Sequence, residues 1–184
     1  RTQVNQELLE GTKISFVGST VAGLDHIDKS YLYKNNIAFS SAQGCNANAV
    51  TEYVISALAN LAHDYCFNLA EKSLGIIGVG NVGRRLDFKA RQLGMTTLLN
   101  DPPREEKEGA DGFVSIENAL SADIVTFHTP LTNNGPYPTH NLLGSQNFNL
   151  ITEDKILINA ARGGIIDEAI WETINTKANI IDCW

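Results

Sequence analysis

The chain has 184 residues, 43% of them hydrophobic and 19% charged, enough to bury one good core or to carry one domain with part of another. Its formal net charge of -7, with no cluster of Lys or Arg, argues against a nucleic-acid surface. No apolar stretch approaches the length of a membrane span, and the composition has no disorder signature. Cys45, Cys66 and Cys183 are widely separated and odd in number, so they offer neither a disulfide framework nor metal-ligand spacing. Three free thiols in a reducing cytoplasm, and no metal, are expected. The first residue is Arg1 rather than Met, and an apolar run at 179–183 has just begun when the chain stops at Trp184. Both ends are therefore expected to be cuts in a longer protein.

In chain order, residues 13–17 read as a strand and 18–24 as a loop. Residues 25–35 read as a short helix with Asp25 as N-cap, and 37–40 as a second strand. This portion is too short to make a core alone. Residues 1–44 are expected to be the tail of a second domain, and 45–184 a larger domain incomplete at its C-terminal end. A long amphipathic helix over 46–63 links them, with Val50, Tyr53, Val54, Ala57, Leu58 and Leu61 at helical spacing. Beyond it, segments 74–79, 96–100, 123–127, 155–159 and 179–182 read as strands, most of them separated by helical segments. Near-continuous apolar strands such as Ile156-Leu157-Ile158 indicate a parallel sheet covered on both faces, hence a doubly wound α/β domain of Rossmann type. Pro102-Pro103 is expected to force a non-helical exit from the second of these strands, with a solvated loop over 104–111.

Gly78-Val79-Gly80-Asn81-Val82-Gly83 follows an apolar run and opens a helix-like segment, and Asp101 ends the next apolar run about 20 residues on. Gly78 permits the tight turn, Gly80 lets backbone approach a pyrophosphate, and Gly83 lets helix pack on strand. The first amides of the helix lack intrahelical partners, so a phosphate is stabilised there without a basic side chain. A carboxylate at Asp101 can accept both ribose hydroxyls of NAD and would repel the 2′-phosphate of NADP. The alternative is a merely structural tight turn.

Ligands of open parallel sheets gather at the carboxyl ends of strands. That rule selects the glycine turn, Asp101, His128-Thr129-Pro130, Asn159-Ala160-Ala161-Arg162 and Asp182. Arg162, beside Gly163-Gly164, offers a planar fork suited to a carboxylate and able to polarise a carbonyl. An interdomain salt bridge is its bland reading.

The glycine turn, Phe127-His128-Thr129-Pro130-Leu131, Asn159-Ala160-Ala161-Arg162-Gly163-Gly164 and Asp182-Cys183-Trp184 together resemble the NAD-dependent D-2-hydroxyacid dehydrogenases. Further segments are similar to the branch of that family that oxidises the 2-hydroxyl of 4-phosphoerythronate on the route to pyridoxal phosphate. These are Phe16-Val17-Gly18 through Gly23-Leu24-Asp25-His26-Ile27-Asp28, Gly44-Cys45-Asn46, Asn100-Asp101-Pro102-Pro103-Arg104 and Gly135-Pro136-Tyr137-Pro138-Thr139.

The resemblance implies that residues 1–44 are a remnant of a flavodoxin-like substrate domain, whose loop at Val21, Ala22 and Gly23 receives the substrate carboxylate. It implies Arg162 as the catalytic arginine. Gly78, Gly80, Asn81, Val82, Gly83, Asp101, Thr129 and Asp182 become cofactor contacts, with a small phosphorylated 2-hydroxy acid as substrate and a homodimer as the assembly. Close relatives tend to carry a hydroxyl residue where this chain has Val21. The family's catalytic Glu and His fall beyond Trp184, and none of His26, His63, His128 or His140 corresponds to that His. The 184-residue chain alone is expected to turn nothing over. Two alternatives stay open: a dehydrogenase of the phosphoglycerate or glyoxylate type, and an NAD-sensing regulator on the same fold.

Overall fold

The computed structural model describes residues 2–21, 23–176 and 178–182. It divides into two compact units, Arg1–Asn46 and Ala47–Trp184.

In the smaller unit, Asn5 caps α1 (Gln6–Leu9) by accepting from the Leu8 amide. β1 (Phe16–Ser19) and β2 (Ala38–Ser41) pair in parallel, with Phe16 opposite Ala38, and α2 (Lys29–Lys34) connects them. Leu9, Ile27 and Leu32 form its buried centre. The helix begins at Asp28 rather than at the expected Asp25. The Val4 amide donates to the His26 carbonyl at 2.7 Å, and the Asp28 amide to the Val4 carbonyl at 2.9 Å, which commits residues 26–28 to a bridge with the N-terminal segment. Only after that bridge can the helix start, with the Asp28 carboxylate accepting the Tyr31 amide at 2.9 Å.

The larger unit opens with α3 (Ala47–Asp64), whose buried stripe is Ala47, Thr51, Val54 and Leu58. Tyr53, expected on that stripe, is instead 49% exposed. Then follow β3 (Ser73–Ile77), α4 (Asn81–Gln92), β4 (Thr96–Asn100), α5 (Pro102–Glu108), α6 (Ile116–Ser121), β5 (Ile124–Phe127), β6 (Lys155–Asn159), α7 (Trp171–Asn175) and β7 (Ala178–Asp182). The five strands are parallel, in the order β4-β3-β5-β6-β7.

Strand side chains alternate between two cores. Leu74, Ile76, Ile124, Ile156 and Ile158 join Val54, Leu58 and Leu86 on one face. Ile77, Val125, Phe127 and Leu157 join Leu120, Leu143 and Ile174 on the other. Each fully buried aliphatic or aromatic side chain contributes roughly 1.5–3 kcal/mol, which is why strands buried on both faces read as unbroken apolar runs.

The expected non-helical exit after β4 is not observed. Pro102 starts α5 directly, because the first helical position has no use for an N–H and favours the φ of proline. Asp101 caps this helix, its carboxylate accepting the Arg104 amide at 3.2 Å.

Polar groups stitch the amino ends of the strands. Ser73 donates its amide (2.8 Å) and hydroxyl (2.6 Å) to the Asp123 carboxylate, and its hydroxyl accepts the Asp123 amide at 2.9 Å. Burial pushes the Asp123 pKa up, but the Ser73 hydrogen bonds and Lys72 outweigh it and hold the carboxyl below its usual value. Lys155, 5% exposed, donates to the Leu120 carbonyl at 2.8 Å and the Ala122 carbonyl at 2.6 Å, closing the C-terminal end of α6. Burial lowers its pKa.

Candidate active-site crevice

Parallel register sets Asn100, Ile77, Phe127, Asn159 and Asp182 in one row across the larger sheet. The residues that follow therefore emerge from the same edge: Asp101, Gly78, His128-Thr129 and the loop to Arg162. The chain runs from β3 outward to β4, then returns to place β5 on the other side of β3, so the switch point lies between β3 and β5.

The glycine turn occupies that point. Gly78 has φ +90°, and a Cβ on it would lie 2.8 Å from the His128 carbonyl carbon and the Thr129 nitrogen. A Cβ on Gly83 would run into the Gly78 carbonyl oxygen. Gly80 is different: a Cβ there meets nothing within 4 Å. It is the N-cap of α4, and no side chain caps that helix. Backbone open to approach and uncapped helix amides together fit a phosphate anion. Asn81 lies at the helix start with its carbonyl accepting from Arg85 at 2.7 Å, and Val82 follows.

The β4 bank of this crevice is closely hydrogen-bonded. The Gly78 amide donates to the Asn100 carbonyl at 2.8 Å. The Val79 amide donates to Asp101 Oδ2 at 2.8 Å, and the Val79 carbonyl accepts from Arg104 Nη1 at 2.6 Å, so both ends of this residue are clamped. Arg104 also donates through Nε and Nη2 to the two Glu108 oxygens, at 2.8 and 2.5 Å, and lies over the Phe113 ring at 5.4 Å. The Glu108 hydrogen bond raises the Arg104 pKa, with burial opposing it, and the reciprocal bond lowers the Glu108 pKa. Asn100, 5% exposed, donates to the Val114 carbonyl at 2.8 Å and fixes the chain that covers the β4 edge.

The β5 bank keeps unsatisfied groups. His128 Nε2 lies 2.9 Å from Thr126 Oγ1, while His128 Nδ1 and Thr129 Oγ1 are buried without a hydrogen-bond partner. His128 as a residue is half-buried, its Nδ1 is sealed from solvent, and desolvation lowers its pKa to about 4. A group held neutral that far down is a poor proton carrier at neutral pH. From the loop after β5, the Tyr137 hydroxyl donates to Glu106 on α5 at 2.6 Å, joining the two banks. That bond to Glu106 raises the Tyr137 pKa.

On β6, the Asn159 side chain braces the segment that carries Arg162. Its Oδ1 accepts the Ala161 amide at 3.1 Å and its Nδ2 donates to the Arg162 carbonyl at 2.9 Å. Arg162 is half-buried and donates through Nη1 to the Ala161 carbonyl at 2.6 Å. Asp182 ends β7 beside Asn159 and is exposed.

In the smaller unit, Val21 is half-buried and Gly23 buried, while Ala22 lies outside the described residues, as do Cys183 and Trp184. Ser19 Oγ and His26 Nδ1 are buried without partners, and Ser19, Thr20, Val21 and His26 line a cavity of about 350 Å³. Among the described residues no group of three His, Cys, Asp or Glu could hold a metal ion, and Cys45 and Cys66 are free. No helix among them is long and apolar enough to cross a membrane.

Sequence reasoning placed Asn159 and Asn100 in motif segments without giving either a bracing role, and it missed Glu108 as a part of this arrangement. The two asparagines had a signal: each is a polar residue closing an otherwise apolar strand, where only a specific hydrogen bond makes burial tolerable. Glu108 had a weaker one, its i,i+4 spacing from Arg104.

Residues 48–178 match the family described as D-isomer specific 2-hydroxyacid dehydrogenase, NAD binding domain. Over all 184 residues the chain is 58% identical to an erythronate-4-phosphate dehydrogenase of Ruthia magnifica subsp. Calyptogena magnifica, covering 53% of that protein. The chain thus spans about half the length of the curated relatives it matches. Among solved structures, 3-phosphoglycerate dehydrogenase of Entamoeba histolytica with NAD+ bound is similar at TM-score 0.82 and 25% identity, over 98% of this chain and 60% of that one. An acyclic imino acid reductase, Bsp5, solved with NADPH and D-Arg, shares the fold at TM-score 0.78 and 22% identity, over 99% of this chain and 66% of that one.

Proposed function

Since the chain belongs to the D-isomer specific 2-hydroxyacid dehydrogenase family, we propose that it forms the NAD-binding domain and a segment of the substrate domain of an enzyme that oxidises the 2-hydroxyl of 4-phosphoerythronate to the 2-oxo acid, in the synthesis of pyridoxal phosphate. Residues 1–44 would be the C-terminal part of the substrate domain, and 45–184 the cofactor domain. One observation carries the cofactor reading: the open, uncapped α4 N-terminus lies at the sheet's switch point, between Asp101 and Thr129. Support for the substrate comes from the 58% identity over the whole chain to an erythronate-4-phosphate dehydrogenase.

In this proposal the α4 amides at Asn81, Val82 and Gly83 hold the pyrophosphate, with Gly78 and Gly80 shaping the turn that admits it. Asp101 takes the adenosine ribose, Thr129 offers its unpaired hydroxyl to the cofactor, and Asp182 lies near the nicotinamide. Bound NAD supplies the acceptor for the hydride on C2. Arg162, its backbone fixed by Asn159, holds the substrate carboxylate and polarises the 2-oxygen. The resemblance assigns a part in receiving the substrate carboxylate to the loop at Val21, Ala22 and Gly23 as well. The resemblance assigns the hydroxyl proton to a His–Glu pair, a role that none of His26, His63, His128 or His140 matches, and a His128 pKa lowered to about 4 makes that imidazole a weak base. We extend the proposal to a cytoplasmic homodimer.

The test compares kcat/KM of the full-length protein on 4-phosphoerythronate, 3-phosphoglycerate and glycolate. A clear preference for the first is expected, and equal use of all three would overturn the narrow substrate. Arg162→Lys, which keeps charge but loses the fork, should lower kcat/KM by about 100-fold or more with the denaturation midpoint unchanged.

A further inference from the structure

We infer that Glu108 positions the dinucleotide site and sets its discrimination between NAD and NADP, by holding Arg104 in the clamp on Val79; the inference rests on the dinucleotide reading above. The fold does not make this choice, since structures of the same fold hold NAD+ in one case and NADPH in another.

Arg104 stands three residues past Asp101 and carries the kind of group that recognises a 2′-phosphate. In this structure its fork is already committed. Nε and Nη2 both face Glu108, Nη1 is bonded to the Val79 carbonyl, and the guanidinium lies over Phe113. Glu108 therefore has two effects. It aims the guanidinium at the glycine turn, which fixes the Val79 peptide that Asp101 holds from its other end. It also withholds the guanidinium's charge and planar edge from any anion near the ribose.

The geometry leaves somewhere for a released arginine to go. Beside the clamp is a cavity of about 240 Å³, lined among others by Arg84, Arg104, Glu108 and Phe113. With the Glu108 carboxylate removed, Arg84 and Arg104 would face that space with Asp87 and Asp111 as the acidic groups left on its wall, Asp87 being already bonded to Arg91 and Thr97. Two guanidiniums turned toward one space suit a phosphate better than the same space with Glu108 present. Side-chain exposures of 26% for Arg104 and 50% for Glu108 make theirs a partly exposed i,i+4 ion pair whose two parallel hydrogen bonds fix the direction of the guanidinium.

The experiment uses the full-length protein and measures dissociation constants of NADH and NADPH by fluorescence titration. Variants are Glu108→Ala, Glu108→Gln, and Glu108→Ala combined with Arg104→Met. For Glu108→Ala the NADH constant should rise several-fold and the NADPH constant fall, shifting their ratio by about tenfold or more. Glu108→Gln, which keeps one acceptor, should shift the ratio by less. In the double variant the NADPH gain should vanish while NADH stays weak. Parallel weakening of both cofactors, no change in either, or an NADPH gain that survives loss of Arg104 would each overturn the inference. Failure of the wild-type protein to bind either cofactor would overturn the dinucleotide reading itself, and this inference with it.

Discussion

On the β4 bank of the crevice, the Asp101 carboxylate takes two amides, Arg104 grips the Val79 carbonyl, and Asn100 holds the chain behind them. Across the glycine turn, on the β5 bank, Thr129 Oγ1 and His128 Nδ1 are buried with nothing to bond. The first bank is finished by folding alone. The second retains hydrogen-bonding capacity whose lack of a partner costs the fold about 1–3 kcal/mol per group. Preorganisation and waiting capacity thus lie on opposite sides of one turn. The turn itself is divided the same way, with Gly78 and Gly83 packed and Gly80 open.

Substitution within the turn is the most severe way to break this contrast. Gly83→Ala drives a methyl into the Gly78 carbonyl oxygen and should cost on the order of 3 kcal/mol in urea denaturation, whereas Gly80→Ala should leave the midpoint unchanged. In NADH titration Gly80→Ala should still weaken binding, by about tenfold, through obstruction of the phosphate. Equal destabilisation by the two would erase the distinction between packed and open glycines.

Acid probes the β5 bank next. Burial lowers the His128 pKa from its ordinary 6.5 to about 4 in the folded protein, so at pH below 6.5 protons bind the unfolded chain first. Its contribution is complete well above pH 6.5 and is lost progressively down to about pH 4, a loss on the order of 3 kcal/mol. Denaturation of the wild type and His128→Leu at several pH values checks this. The variant should have the shallower decline across that window, and matching slopes would mean that His128 is not the group responsible.

A smaller effect separates the banks by sign. Thr129→Val replaces an unpaired buried hydroxyl with a methyl, so it should leave the cofactor-free protein as stable or up to about 1 kcal/mol more stable while weakening NADH. Asp101→Asn should instead lose both stability and binding. A destabilised Thr129→Val would show that its hydroxyl is already satisfied. The smallest effect belongs to the exposed link between the banks. Tyr137→Phe, which removes the bond to Glu106, should leave the denaturation midpoint unmoved and NADH affinity within about twofold.

The sheet was legible because burial on both faces writes itself into sequence. Thr96–Asn100 and Lys155–Asn159 are observed where the apolar runs place them, and the other strands differ only at their ends. Local signals that depend on distant partners were not legible. Asp25 and Asp28 are equally good caps in sequence, and only the Val4 bridge chooses between them. Pro102-Pro103 reads as a break until Asp101 is seen capping the helix that it begins. The glycine turn, Asp101, Thr129 and Arg162 could be listed in advance as strand-end residues. That Asp101 would spend its carboxylate on Val79 and Arg104, or that Asn159 would brace the Arg162 backbone, depends on contacts across 22 residues or on a loop's path, which periodicity does not encode.

The clasp between Ser73 and Asp123 joins residues 50 apart in the chain. Bringing those ends together costs about 3.5 kcal/mol of loop-closure entropy, (3/2)RT ln 50, plus a constant. The β3–β4 pairing closes a shorter loop and can precede it. A crevice between β3 and β5 exists only once this longer loop has closed, which predicts that a dinucleotide binds after that closure and does not guide it. Stopped-flow refolding should be indifferent to added NADH, and the whole of its stabilisation should appear as slower unfolding.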